Sequence, residues 1–102
     1  MTKLGQIDQM HADLTALRRD IHAHPETAFK ENRTAQIVAE KLQSFGMEVS
    51  TGIGKTGVVG SLKCGSGNRA FAFRADMDAL FIEEENNFDH KSTNKGKMHA
   101  CG

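Results

Sequence analysis

Two pairs of residues in the second half of the sequence have the types and the spacing to do chemistry. Asp76 and Asp78 stand two apart in "RADMDAL", and His99 and Cys101 stand two apart in "GKMHACG". If a strand continues through the aspartates, both carboxylates project from one of its faces. Two carboxylates at a strand end can bind a divalent cation, orient a histidine ligand, or share a proton as acid and base. The alternative interpretation is a solvated turn after the strand, a setting that aspartate favours.

The second pair offers an imidazole and a thiol, and both groups suit zinc and its first-row neighbours. Two ligands do not complete a zinc site, which takes three or four, so the isolated pattern favours a stray cysteine in a frayed tail. A nucleophilic Cys–His pair is another interpretation, but the sequence supplies no clear third group to orient His99. A thiol redox role for Cys101 is a further interpretation, and it requires a reactive thiolate.

The remaining histidines, one cysteine and a glycine-rich stretch favour structural roles. The stretch "GIGKTG" lacks the first glycine of a phosphate-binding loop, because position 49 is valine, and it precedes a strand rather than a helix. It is therefore predicted to form a turn. His11, His22 and His90 stand apart in the pattern and are predicted to be surface or capping residues. Cys64 is predicted to be a small, partly buried residue.

Two helices are predicted in the first half of the chain. Apolar residues recur every three or four positions near the N-terminus, which predicts a helix with one apolar face. Pro25 ends this helix and pushes His24 out of helical geometry, while His22 is predicted to meet the last helical carbonyls. A second helix is predicted from about 31 to 45, with Gly46 as its C-terminal cap. The apolar face of the first helix consists of Ile7, Met10, Leu14, Leu17 and Ile21.

Three strands are predicted to follow, which gives the order helix, helix, strand, strand, strand and an α/β fold class. They are "MEVST" (47–51), "VVGSLK" (58–63) and "RAFAFRAD" (69–76), and "CGSGN" between the last two is typical of a hairpin loop. In the third strand, Phe71 and Phe73 are predicted to share a face. The polar stretch 83–97 is predicted to be a long loop, and such loops usually serve a site or are disordered.

Composition limits the kind of protein and its partners. The sequence has 13 basic and 13 acidic residues and a net charge of zero, which gives no reason to expect nucleic acid or an anionic membrane as partner. No apolar run is long enough to span a bilayer or to form the core of a signal peptide. Two cysteines are too few for a disulfide framework, so a reducing, cytoplasmic setting is expected. A length of 102 residues allows one domain at most.

Three stretches occur in an order and at intervals that match a known family. They are "LRRDIHAHPETAFKE" (17–31), "FRADMDAL" (73–80) and "GKMHACG" (96–102). With them the sequence resembles the N-terminal part of the metal-dependent amidohydrolases that include hippurate hydrolase, N-acyl-L-amino acid amidohydrolase and the auxin-conjugate hydrolases. These enzymes are relatives of the aminoacylase and carboxypeptidase metallopeptidases. The resemblance extends over nearly the whole chain, from about residue 14 onward.

The resemblance implies a fold, cofactors and partners. The expected fold is part of a zinc-exopeptidase-like α/β sandwich around a mixed sheet, so that residues 1–102 form the N-terminal part of a catalytic domain whose dimerisation lid lies elsewhere. The family uses two divalent metal ions, commonly manganese, zinc, cobalt or nickel. An N-acyl amino acid is the expected small-molecule substrate, and a homodimer or higher homo-oligomer is the expected assembly.

The resemblance also implies roles for individual residues. Cys101 occupies the position of a metal ligand in the family's H-A-C-G-H-D motif, whose next histidine would follow Gly102. Asp78 matches an acidic position that supports the metal site in catalysis. Asp76 falls where related metallopeptidases carry a ligand histidine, so its role is left open. The sequence departs from the family at Phe81, where a proline is usual, and this departure affects the expected geometry of the following loop.

Two hypotheses of different classes follow. In the first, the chain is the N-terminal segment of an amidohydrolase that cleaves the amide bond of N-acyl amino acids, and the 102 residues alone are inactive because most ligands and the general base are missing. In the second, the chain is a small non-catalytic α/β protein that binds a partner through the apolar face of the first helix. An in-frame continuation of the gene that begins with His-Asp would support the enzyme.

Overall fold

The computed structural model describes residues 2–101 and contains two helices and one two-stranded sheet in that range. The helices are α1 (Lys3–Ala23) and α2 (Asn32–Ser44), and the strands are β1 (Glu48–Ile53) and β2 (Gly57–Ser61). The chain divides into two compact units. The helix–loop unit consists of Met1–Pro25 and Ala79–Gly102, and the hairpin unit consists of Glu26–Asp78. In the described part of the chain, neither helix has the length and apolar character needed to cross a membrane.

Helix α1 confirms the first helix that the spacing of apolar residues predicts. Thr2 caps its N-terminus, because its hydroxyl accepts a hydrogen bond of 3.1 Å from the amide of Gly5. The helix ends at Ala23, and His24 has the non-helical φ of −124° and ψ of 60° expected before a proline. No residue of α1 is buried, and the apolar face is most exposed toward its N-terminal end, where Ile7 is 58% exposed.

The rest of the helix–loop unit is the long polar segment that the sequence predicts. Residues 83–97 contain no helix or strand, which confirms the loop. The segment is closed at its base by an antiparallel bridge between Leu80 and Met98, in which each amide donates to the other residue's carbonyl oxygen at 2.9 and 3.0 Å. This bridge holds the two ends of the loop together.

In the hairpin unit, α2 packs on both strands of the sheet. The close approach depends on Gly60 of β2, because a Cβ there would lie 2.9 Å from Cδ1 of Leu42 and 3.0 Å from Sδ of Met47. Ala39 is the buried apolar residue of the helix. After the helix ends, Gly46 has a φ of 81°, so the predicted glycine cap is confirmed.

The N-terminus of α2 is capped from a distance, by a residue outside the helix. The carboxylate of Glu26 accepts hydrogen bonds from the amide of Arg33 (3.0 Å) and from the amide and hydroxyl of Thr34 (both 2.7 Å). Burial alone would raise the pKa of Glu26, but these hydrogen bonds and the charge of Arg33 outweigh it and lower the pKa. An acidic side chain at this position also complements the helix dipole.

The predicted turn in "GIGKTG" is confirmed and connects β1 to β2 as an antiparallel hairpin. Glu48 pairs with Ser61, and Ser50 pairs with Val59. The turn uses the left-handed region, which is occupied by Lys55 with a φ of 84° as well as by neighbouring glycines. The sequence predicts a hairpin at "CGSGN". The observed hairpin lies one connection earlier in the chain, between β1 and β2.

The third predicted strand is wrong, whereas the α/β class is right. Residues 69–76 form no strand, and Phe71 and Phe73 are 95% and 98% exposed. A strand needs the backbone of a neighbour to complete its hydrogen bonds, and no described strand pairs with this segment. Cys64, in the connection before it, is exposed rather than partly buried as predicted.

Candidate functional site

The two aspartates of "RADMDAL" have different surroundings. Asp78 is half-buried and is the last residue of the hairpin unit. Asp76 is exposed, and its Oδ1 lies 2.8 Å from a guanidinium nitrogen of Arg74, whose side chain is 86% exposed. A surface ion pair of this kind contributes roughly 0–1 kcal/mol. Because no strand forms through these residues, the predicted projection of both carboxylates from one strand face is not realised.

The thiol of Cys101 is free and exposed, and it lies in the helix–loop unit. Two residues earlier, His99 is half-buried. Within residues 2–101, no three side chains of histidine, cysteine, aspartate or glutamate come close enough to hold a metal ion. The described donors therefore do not fit a complete metal site by themselves, and Cys101 remains a single candidate donor.

A buried carboxylate that the sequence does not single out lies at the centre of the helix–loop unit. The side chain of Glu84 is 1% exposed, and donors from three places in the chain surround it. Nε2 of His22 lies 3.0 and 2.9 Å from its two oxygens, Nδ2 of Asn86 donates at 3.0 Å, and the amide of Ser92 donates at 2.6 Å. Every carboxylate oxygen is thus satisfied, as a buried charge requires.

These donors keep Glu84 ionised. Burial would raise its pKa, but the hydrogen bonds from Asn86, His22 and the amide of Ser92, together with the charge of His22, lower the pKa to about 2. An ionised carboxylate only accepts hydrogen bonds, so Nε2 of His22 must carry the shared proton. Glu84 is therefore a fixed negative charge at neutral pH, with the imidazole held in one orientation.

Aromatic rings pack around His22, and both His22 and His90 are half-buried rather than on the surface as predicted. The His22 ring centroid lies 5.8 Å from that of Phe88, 5.7 Å from that of His90 and 6.4 Å from that of His99. Phe88 and His90 are stacked with centroids 3.9 Å apart. Burial and the nearby positive charges of Arg19, His22 and Arg18 lower the pKa of His90, against the opposing effect of Glu84. The ring cluster thus consists of His22, Phe88, His90 and His99.

The capping role predicted for His22 belongs to another residue. Nδ1 of His24 lies 2.8 Å from the carbonyl oxygen of Asp20 in the last turn of α1. His22 instead directs its Nε2 toward the carboxylate of Glu84. His11 is exposed on α1, as predicted for a surface residue. One feature of the sequence could have indicated that the side chain of His22 is partly buried. His22 follows Ile21, which lies at the half-buried end of the apolar face of α1.

The second half of the loop is fastened to the end of α1. The amide and the hydroxyl of Thr93 both donate to the carbonyl oxygen of Ala23, at 2.8 and 2.7 Å. Nδ2 of Asn94 donates to the carbonyl oxygen of Pro25 at 3.1 Å. The Ser92 hydroxyl donates to the carbonyl oxygen of Lys97 at 2.7 Å. Residues 92–97 are therefore held in place without regular secondary structure.

The fold of this chain is also found in a solved metallopeptidase structure. The YXEP protein of Bacillus subtilis, described as a dinuclear metal-binding peptidase from the M20 family, superposes with a TM-score of 0.85 at 38% identity. The likeness covers 93% of this chain and 27% of that protein. It supports the α/β fold class and extends through both compact units.

Sequence comparisons lead to the same family. The model of peptidase family M20/M25/M40 matches residues 72–102. The N-acyl-L-amino acid amidohydrolase of Geobacillus stearothermophilus is 52% identical over 94% of this chain, and the hippurate hydrolase of Campylobacter jejuni is 45% identical over 100% of it. The chain spans about a quarter of the length of these relatives, 26% and 27% respectively. The chain is similar to peptidase family M20/M25/M40 over residues 72–102, and to these two hydrolases over most of its own length.

Proposed function

We propose that this chain is the N-terminal portion of a metal-dependent amidohydrolase that cleaves the amide bond of N-acyl amino acids of the hippurate type. The observation that carries the proposal is the exposed, free thiol of Cys101 within the stretch that matches the family model. The similarity to an N-acyl-L-amino acid amidohydrolase and a hippurate hydrolase supports the substrate class. The whole protein would be a cytoplasmic homodimer or higher homo-oligomer, with no nucleic acid or membrane as partner.

The residues of this chain would have two tasks at the metal centre. The thiolate of Cys101 would hold one divalent ion, since a soft sulfur ligand suits zinc, cobalt or nickel, and manganese is the other candidate metal. Asp78 would support the site by orienting a ligand, the role that carboxylates near a metal commonly have. The metals, two in the whole enzyme, would polarise the amide carbonyl and supply a hydroxide at neutral pH. The other ligands and the general base would come from the remainder of the protein.

The test uses the whole protein that contains this chain. We expect the purified protein to hydrolyse hippurate with a bound divalent metal, to lose the activity on chelation, and to regain it when manganese or zinc is returned. The gene beyond codon 102 should continue in frame with His-Asp. A protein that continues in this way but hydrolyses no N-acyl amino acid under any of the four metals would contradict the proposal.

A second candidate function rests on the exposed apolar face of α1. Ile7, Met10 and Leu14 are 58%, 43% and 48% exposed. Such a face suits a hydrophobic groove on a partner. If the chain were a non-catalytic binding module, the gene would stop directly after codon 102 and the 102-residue protein would be stable and monodisperse in solution. An in-frame His-Asp continuation would argue against this alternative.

A further inference from the structure

We propose that the loop tip, residues 85–91, is a lid over the buried pair of His22 and Glu84, and that protonation of His90 releases this lid from α1. The inference goes beyond the proposed function and involves no metal centre. It makes the long polar loop an acid-sensitive element of the helix–loop unit, whose members are all in direct contact in the structure.

The base of the loop tip is closed by a hydrogen bond in which His90 takes no part. The amide of Ser92 donates to Oε1 of Glu84 at 2.6 Å, so the residues on either side of the tip are held together. Within the tip, the amide of Lys91 donates to the carbonyl oxygen of Phe88 at 3.1 Å, which forms a turn. The rings of Phe88 and His90 stack on this turn, with centroids 3.9 Å apart and planes 18° apart. The tip can therefore move as one piece about a fixed base.

The loop tip meets α1 through the same two rings. The centroids of Phe88 and His90 lie 5.8 and 5.7 Å from that of His22, the first ring tilted and the second edge-on. Ring contacts of this kind are weaker than the charge-assisted hydrogen bonds that hold His22 to Glu84. The side chain of His22 is 13% exposed and that of Glu84 is 1% exposed. The rings of the tip are thus part of the cover over this pair, and they are its weaker attachment.

A proton on His90 would add charge where the surroundings are already mostly positive. The groups of α1 that act on the His90 ring are Arg18, Arg19 and His22, and the loop contributes Glu84. Burial and the charges of Arg19, His22 and Arg18 lower the pKa of His90, against the opposing effect of Glu84. The closed tip therefore favours the neutral imidazole.

The direction of the pH effect follows from this preference. In the open tip, the His90 pKa returns toward its ordinary value of 6.5, so the open state binds more protons and gains population as the pH falls below that value. The face of Phe88 attracts a protonated imidazole, so the stack is kept while the contact with α1 is lost. Glu84, with a pKa of about 2, stays ionised in mild acid and keeps His22 in place. Asp89 and Lys91, which flank His90 in the turn, carry opposite charges and are exposed.

The experiment measures the opening of the loop tip in the whole protein by limited proteolysis. A glutamate-specific protease is used, because it cuts after the exposed Glu85 and is active in mild acid as well as at neutral pH. The cleavage rate after Glu85 is divided by the rate for a free peptide of the sequence 80–92 at the same pH, which removes the pH dependence of the protease. This relative rate follows the open population of the tip. In the wild type it should rise about threefold or more from pH 7.5 to pH 5, because the open state gains the proton.

Two variants decide whether His90 is the group concerned. His90→Phe keeps a ring for the stack on Phe88 but cannot take up a proton, so its relative rate should be equal at both pH values. His11→Phe, at an exposed position of α1, is the matched control and should show the wild-type rise. A wild-type relative rate that does not change with pH, or an equal rise in His90→Phe, would overturn the inference.

A further variant serves if His90→Phe does not fold. Arg19→Gln removes the first of the positive charges that act on His90, so its rise should be less than about half that of the wild type. An undiminished rise would refute the release by charge repulsion. The measurements use neither hippurate nor added metal, so their outcome is independent of whether the proposed function holds.

Discussion

Nε2 of His22 lies 3.0 and 2.9 Å from the two carboxylate oxygens of Glu84, although 62 residues separate them in the sequence. The contact connects the last turn of α1 with the long loop that leads to Cys101. The bridge between Leu80 and Met98 lies in the same unit and joins the second and third motifs of the family resemblance. Within the helix–loop unit, these contacts link the end of the second stretch to the third, and the end of α1, which lies in the first stretch, to the loop.

Replacing His22 by phenylalanine should destabilise the protein. The new ring keeps the contact with Phe88, but Glu84 loses one of its donors while it remains buried. A buried polar group that loses a partner costs about 1–3 kcal/mol, more when it is charged. His11→Phe, at an exposed position of the same helix, is the control and should change the free energy of unfolding by less than about 0.5 kcal/mol. Urea denaturation of both variants measures the difference, and equal values would contradict the account.

Acid should destabilise the protein through Glu84. The folded-state pKa of about 2 lies below the ordinary value of 4.5, so the stabilisation by the ionised group is complete above pH 4.5 and is lost as the pH falls toward 2. Glu84→Gln has no such group, so its melting temperature should fall less steeply over this window. Glu26, whose pKa is also lowered, is present in both proteins and cancels in the comparison. Parallel melting curves from pH 5 to pH 2 would show that Glu84 is not the group concerned.

Gly60→Ala should destabilise the packing of α2 on the sheet. The added methyl group would lie within 3.0 Å of Leu42 and Met47, and overpacking of this kind typically costs about 1–3 kcal/mol. Because the nearest atoms are ends of flexible side chains, the lower part of that range is expected. Gly67→Ala is the matched control, since a Cβ there meets nothing within 4 Å. Thermal unfolding should separate the two variants, and a Gly60→Ala protein as stable as Gly67→Ala would refute the close approach.

The 102-residue chain by itself should not hydrolyse hippurate. Residues 2–101 contain no group of three or more donors that could hold a metal ion, so added manganese or zinc has no complete site to fill. The measurement is the release of glycine from hippurate with each metal, compared with a blank that contains the metal alone. Turnover above that blank would mean that the described residues are sufficient for catalysis.

Local features of the fold could be predicted from the sequence, because their causes are local. The spacing of apolar residues gives α1, Pro25 ends it, and Gly46 ends α2 through its positive φ. The third strand could not be judged in this way. Whether residues 69–76 form a strand depends on a neighbour to pair with, and Phe71 and Phe73 satisfy the alternation of a strand while lying exposed.

The site shows the same division between local and distant causes. Cys101 and Asp78 can be named from their motifs, and their roles remain proposals. Glu84 could not be named, because its importance comes from partners 62 residues earlier and 8 residues later, and a run of three glutamates reads as a solvated surface. Glu26 is a similar case, since it caps α2 from outside the helix.

The measurement that tests the central claim most directly is the metal content of the whole protein after Cys101→Ala. Elemental analysis should find at least one divalent ion per chain fewer than in the wild type, together with a loss of hippurate hydrolysis. Cys64→Ala, the other exposed cysteine, is the matched control and should keep both. A Cys101→Ala protein with the full metal content and full activity would contradict the assignment of Cys101 as a metal ligand.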